Sequence, residues 1–214
     1  SVVVPHVVDL AGGVDLDWIK PYAGTYETTP EGALKTLRTL TAVYEERIEQ
    51  MVGRHRVWPV GPGAPLHLLF IDEAPQLVMD KDCMDLALMA VRLWRKAGMS
   101  LWWSSQMGQA EVAFGKSRGT AFRDQLTTGN VWVFHAGKES TSIAMGRHRV
   151  DPEMIPEDIP GASVLISPAH KQPPLVRGRW TNDPERLLRY LDVPRWAPGA
   201  PAPRVPEQAA PVVR

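Results

Sequence analysis

The chain has 214 residues, 44% hydrophobic and 22% charged, ordinary values for a globular protein long enough to bury a core. Lysine plus arginine and aspartate plus glutamate balance at 24 each, so bulk charge points to neither nucleic acid nor membrane; a nucleic-acid site must come from local clustering. The single cysteine, Cys83, excludes an intrachain disulfide framework and fits a reducing cytoplasm. No apolar run approaches the roughly 18 residues needed to span a bilayer.

Ser1 to Val4 begins inside an apparent strand with neither an initiator methionine nor a leader, so we expect the later part of a longer protein. The first strand should run from Val2 to Asp9, with Pro5 near an edge or bulge because proline cannot donate to a ladder. Trp18 and Ile19 follow in a short segment, and Pro21 to Gly24 turns the chain. A long helix comes next, with Thr29 as cap, Pro30 at the first helical position and Glu31 favoured by the positive end of the dipole. Leu34, Leu37, Tyr44, Ile48 and Met51 form its apolar stripe, whose default meaning is core packing.

Leu66-His67-Leu68-Leu69-Phe70-Ile71-Asp72-Glu73-Ala74 is the most informative stretch. An apolar run after the loop Gly61 to Pro65 predicts a strand buried on both faces. Two carboxylates at its end must sit where the sheet meets solvent, since burying them unpaired costs several kcal/mol, on the order of a lost fold. Ligands of open α/β sheets bind at that rim. In nucleoside triphosphatases such a strand carries the magnesium-shell aspartate and the water-polarising glutamate, here Asp72 and Glu73.

Met84, Ala87, Leu88, Val91 and Trp94 predict a second amphipathic helix, capped by Asp82 or a neighbour and stopped by Gly98. A short strand, Met99 to Trp103, then ends in Ser104-Ser105-Gln106. A β–α–β crossover makes the two strands parallel and sets their polar ends side by side, with Gln106 beside Asp72 and Glu73. A neutral amide there can sense a γ-phosphate or orient water. Beyond it, Gly108 to Gly129 is polar and carries Lys116, Arg118 and Arg123. Val131 to Phe134 is a strand, a helical turn is expected near Met145, and Gly161 to Ser167 with Leu175 to Trp180 form a terminal hairpin. Asp183 starts a last helix with Leu187, Leu188 and Leu191. From residue 193 the Pro/Ala-rich chain lacks apolar periodicity and reads as a disordered tail.

Gly115-Lys116-Ser117 is a decoy for a phosphate loop. The full motif needs glycine where Ala110 stands, and a strand before it with a helix after. No other Gly-x-x-x-x-Gly-Lys-Ser/Thr occurs in the chain, so the phosphate-binding backbone cradle is missing. The histidines lack metal-ligand spacing, and no Gly-x-Ser-x-Gly nucleophile elbow is present.

The order of these parts resembles the motor domain of FtsK/SpoIIIE-type DNA translocases, including TraB-like conjugation proteins, over about residues 2–192. Val8 to Leu16 is similar to the strand end that follows the family's P-loop helix. Pro30 to Met51, with Tyr44-Glu45-Glu46-Arg47, resembles its next helix. Leu68 to Ala74 resembles its Walker B strand, and Ser104-Ser105-Gln106 its Ser/Thr-Gln sensor. Gly129 to Phe134 and Lys138 to Thr141 are similar to the strand and Ser-Lys-x-Asp-Ser-Arg segment beyond, and Pro160 to Trp180 to the closing hairpin. The chain departs from the pattern in lacking the P-loop, in continuing Gln106 as Met107-Gly108, and in holding Ser142 at the family's arginine, for which Arg118, Arg147 or Arg149 are the candidate replacements.

The resemblance implies a RecA-like P-loop NTPase core, a mostly parallel α/β sheet flanked by helices, without its N-terminal P-loop unit and with a C-terminal β-hairpin. It implies ATP and Mg2+ as cofactors, with Asp72 on the ion, Glu73 catalytic, and Ser105 and Gln106 on the nucleotide. Lys116, Arg118, Arg123 and Lys138 would touch the phosphates of double-stranded DNA threaded through a homo-oligomeric ring, a hexamer. It further implies a cytoplasmic motor whose parent protein is membrane-anchored upstream, the chain alone being inactive. A secretion or coupling ATPase with a protein cargo and a non-catalytic assembly module are the alternatives.

Overall fold

A computed structural model describes residues 2–14, 16–106, 113–116, 119–136, 143–145 and 148–178. The predicted last helix and the tail lie outside them, as do Arg118, Lys138 and Arg147. Its centre is a four-stranded parallel sheet of β1 (Val3–Asp9), β2 (Thr25–Glu27), β3 (Leu66–Asp72) and β4 (Met99–Trp103), in the order β2-β1-β3-β4. Helix α1 (Pro30–Met51) connects β2 to β3, and α2 (Lys81–Leu93) connects β3 to β4.

Local chemistry sets the helix ends. Thr29 caps α1 by accepting from the Gly32 N–H at 3.1 Å, with Pro30 at the first position. The cap of α2 is Asp80, which accepts from the Cys83 N–H at 2.9 Å. Asp82, the residue expected there, lies in the first turn and pairs with Arg38 at the surface. After α2 the chain tightens into a 3-10 turn, Trp94–Ala97, and Gly98 ends it in the left-handed region, φ 64°. Any Cβ at Gly98 would meet the Trp58 ring at 2.7 Å, so this turn requires glycine both for its conformation and for its space.

Both helices pack on one face of the sheet. Val8, Leu69, Ile71 and Met99 meet Leu37 and Leu40 of α1 and Cys83 and Ala90 of α2, with Trp94 and Leu77 fully buried among them. Burial of Cys83 and the carboxylates of Asp80 and Asp82 push its thiol up to about 12, so it is an inert core residue. The other face is only half covered: Leu66, Leu68 and Phe70 are half-buried, and Trp102 is 54% exposed. Strand β3 therefore alternates rather than being buried on both faces, because α1 and α2 share one side. Pro5 is tolerated beside β2 because that three-residue strand begins pairing only at His6. The Pro5 carbonyl on that side accepts from the Gly24 N–H at 2.7 Å.

Arg47 of α1 is buried at the amino ends of β3 and β4. Its guanidinium donates to the carbonyls of Ala97 and Pro65, both at 2.7 Å, and of Gly98 at 3.2 Å, and stacks 4.5 Å over the Trp58 ring. Next to it, His6 Nε2 and His67 Nδ1 share a hydrogen bond of 2.8 Å between β1 and β3.

Helix α3 (Gly119–Leu126), not foreseen in that polar stretch, buries Phe122 against Trp103, Phe114 and α2. A second sheet is antiparallel, with β5 (Val131–Phe134), β8 (Ala162–Ile166) and β9 (Leu175–Arg177) in the order β5-β8-β9, so the expected terminal hairpin is present. Where a helical turn was expected near Met145, β6 (Ile143–Met145) instead pairs antiparallel with β7 (His148–Val150). No described helix is long and apolar enough to cross a membrane.

Candidate functional site: the carboxyl ends of the parallel strands

Asp72 ends β3 in register with Asp9, which ends β1. It shares the alternation of Phe70, so it projects toward the half-covered face of the sheet. Glu73 follows in the left-handed conformation, φ 50° and ψ 39°, the one non-glycine with positive φ among the described residues. An L-residue held there stores about 1–2 kcal/mol of steric strain, a feature concentrated at functional sites. Two backbone bonds enforce the turn: the Ser104 N–H donates to Ile71 carbonyl at 2.9 Å, and the Ala74 N–H to Ser104 carbonyl at 3.1 Å. They extend the β3–β4 pairing past Trp103 and carry the chain to Ser105 and Gln106.

The consequence is a direct contact between the ends of the two strands. The Gln106 side-chain amide donates to the Glu73 carboxylate. Gln106 is exposed, while Asp72, Glu73 and Ser105 are half-buried, so the group opens to solvent. The predicted acid and amide are thus neighbours, as the crossover argument requires. Among the described residues no cluster of three or more His, Cys, Asp or Glu could hold a metal ion. Asp72 could meet a divalent ion through its water shell, the way Mg2+ is commonly held. The acidic pair fits the ion-and-water side of a bound Mg–nucleotide. Its phosphate side needs a run of backbone N–H groups such as a Gly-x-x-x-x-Gly-Lys-Ser/Thr loop offers, and the sequence contains no such motif.

Asp9 was read only as a strand end. It is fully buried, and its charge is satisfied by three donors: the Ala11 N–H at 3.1 Å, and the Leu16 N–H and Tyr26 hydroxyl, each at 3.2 Å. Burial and the Asp9 charge push the Tyr26 hydroxyl up to about 12, so it remains a donor across the neutral range. Gln76, on the 3-10 turn Ala74–Leu77, donates to the Leu10 carbonyl at 2.8 Å. An acidic residue closing an apolar strand before Gly12-Gly13 was a visible signal for Asp9; nothing local marks Tyr26 or Gln76 as its neighbours.

Of the expected nucleic-acid contacts, Lys116 is exposed beside Gly115. Arg123 lies on α3, with its guanidinium 3.5 Å from Asp124.

No protein-family model matches the chain, and no curated protein matches it. Solved structures do. The pCW3 conjugation coupling protein TcpA, solved as a monomer with ATPγS, is similar over 89% of this chain and 57% of its own, with 15% identity and a TM-score of 0.68. EccC of Thermomonospora curvata (ATPases 2 and 3), in complex with a signal sequence peptide, is similar over 84% and 31%, with 15% identity and a TM-score of 0.60. EssC (ATPases 2 and 3) from Geobacillus thermodenitrificans is similar over 92% and 40%, with 15% identity and a TM-score of 0.58. The chain thus spans little more than half of the first of these and less of the others. At such identities the likeness concerns fold alone, and this chain shares with these proteins the RecA-like fold, a parallel sheet with helices packed on it.

Proposed function

We propose that the chain is the Walker B and sensor part of an ATP-driven translocase whose cargo is double-stranded DNA. The observation that carries this reading is the Gln106–Glu73 contact at the ends of adjoining parallel strands, with Asp72 directed to the half-covered face. In this reading the phosphate loop comes from polypeptide outside this chain, and the open flank of β4 with the exposed Trp102 beside it is the place where such a unit packs. Bound Mg–ATP supplies the electrophilic phosphorus. Asp72 would hold the water shell of the ion, Glu73 would hold the attacking water and take its proton, and Ser105 with Gln106 would face the terminal phosphate. Lys116 and Arg123, with Arg118 and Lys138, contribute phosphate contacts to DNA in a ring of identical subunits. The parent protein works at the cytoplasmic face of a membrane.

The likeness to a conjugation coupling protein supports DNA as cargo. A second reading, a secretion ATPase with a protein cargo, is supported by the likeness to EccC, which was solved with a signal sequence peptide. The experiment is ATP turnover by the chain assembled with the polypeptide that carries the phosphate loop. Glu73→Gln should lower turnover by about a hundredfold or more, the scale of a lost general base, and duplex DNA should stimulate the unmodified assembly. Stimulation by a signal-sequence peptide and not by DNA selects the secretion reading. Failure to bind ATP even when assembled leaves a non-catalytic assembly module.

A further inference from the structure

Two loops leave the carboxyl ends of β1 and β3 next to each other, and side chains tie them together. Asp9 gathers the first loop from within, through the N–H groups of Ala11 and Leu16. The Tyr26 hydroxyl reaches both Asp9 and the Gly13 carbonyl at 3.2 Å, folding the loop back on β2. Gly12 and Gly13 both have positive φ there, which allows the tight return. On its other flank the loop is joined to the Glu73 turn. The Leu10 N–H donates to the Asp72 carbonyl at 3.4 Å, and Gln76, three residues after Glu73, donates to the Leu10 carbonyl at 2.8 Å. The carboxylate of Asp9 is already met by three donors, so its chemistry is that of an anchor and not of a metal ligand.

We infer that Asp9 and Gln76 are positioning residues: they hold the segment Leu10 to Leu16 against the turn carrying Glu73, so that the two strand-end loops form one rigid wall and fix the direction of the Glu73 carboxylate. This deepens the function proposed above and rests on it. A buried carboxylate is expensive unless fully satisfied, and satisfying it here fixes the backbone of the loop at Ala11 and Leu16. Gln76 is exposed and free of core packing, so it can be changed without emptying a core site.

The test uses Gln76→Glu in the full chain, a near-isosteric change whose ionised side chain cannot donate to the Leu10 carbonyl. Amide hydrogen exchange without any nucleotide should show Ala11 and Leu16 exchanging about fivefold faster or more, the scale of one lost hydrogen bond, with Leu69 and Ile71 unchanged. In the ATP-hydrolysing assembly, kcat should fall by about tenfold with KM little altered, since orientation and not binding is lost. Tyr26→Phe should loosen the same two amides. Unchanged loop exchange in Gln76→Glu overturns the inference, and so does a loosened loop with unchanged kcat. Loss of protection at Leu69 and Ile71 as well also overturns it, by showing a general structural role. If no assembly turns over ATP, the proposed function falls, while the exchange result still shows whether the loops are one body.

Discussion

Arg47 offers the sharpest test of what holds the sheet together. Replacing it with methionine keeps most of the stem volume and removes the guanidinium. The carbonyls of Ala97 and Pro65 each lose a 2.7 Å donor, whereas that of Gly98 keeps the His67 N–H at 3.1 Å. Each buried acceptor left unsatisfied costs about 1–3 kcal/mol, and the lost stacking on Trp58 about 1 more, for a gross cost of about 3–7 kcal/mol. Against this stands relief from burying a cation. Burial pushes the guanidinium down to about 10, so it is still charged at neutral pH, and its removal returns a few kcal/mol, roughly 1–3. The net expectation is a loss of about 3 kcal/mol, a large part of the roughly 5–15 kcal/mol stability of a domain. Arg47→Lys retains the charge, but a single ammonium cannot span carbonyls from two segments, so it should lose an intermediate amount. Urea unfolding at pH 7 followed by tryptophan fluorescence measures both variants. A loss under about 1 kcal/mol for Arg47→Met would refute the claim that the Ala97 and Pro65 carbonyls depend on Arg47. Because Arg47 lies at the amino ends of the strands, the Gln106–Glu73 contact at the other ends should survive in the variant.

Acid sensitivity follows from the histidine pair. Burial lowers His6 to about 4; burial, with the nearby charges of Arg47 and His6, lowers His67 to about 3. Both are neutral in the fold and protonate in the unfolded chain below about 6.5, so stability is full above that pH and falls as pH drops from about 6.5 to about 4 for His6 and about 3 for His67. The slope should reach about 1.4 kcal/mol per pH unit for each histidine, read from urea midpoints, and a double variant His6→Val with His67→Leu should flatten it. Asp80→Ala should cost about 1 kcal/mol as a lost helix cap, and Asp82→Ala less than about half of that, since its pairing with Arg38 is at the surface. Equal losses would contradict the assignment of the cap. Glu73→Gly should raise stability by about 1 kcal/mol by relieving the left-handed backbone, while abolishing turnover in the assembled enzyme. A lower urea midpoint would show that the turn is unstrained.

Elements with local chemistry were legible in the sequence. Thr29-Pro30-Glu31 marked the start of α1, and the Asp-Glu ending of β3 and the Ser-Ser-Gln ending of β4 came together because a crossover leaves no other arrangement. What failed did so for physical reasons. Seven residues with a single histidine look the same whether one face or both faces are covered, so the half-open side of β3 was invisible. Thr25–Glu27 is too short to show alternation, and it exists as a strand because β1 offers it an edge. Asp80 and Asp82 both stand just ahead of the apolar Cys83-Met84, and only the backbone geometry selects the first as cap. The Tyr26 partner of Asp9 and the Gln76 partner of Leu10 come from 17 and 66 residues away, separations at which no local pattern survives.

The two faces of the sheet divide the work. On the helical face the core is largely buried, and even a guanidinium and two histidines are held there by hydrogen bonds, so that side supplies stability. At the carboxyl ends the opposite is true. A strained Glu73, a solvent-facing Gln106 and an aromatic-rich half-covered face are each unfavourable for an isolated domain. Strain and apolar exposure persist when something else depends on them. Their coincidence on the side to which Asp72 points is in keeping with the proposed site, which other polypeptide would complete.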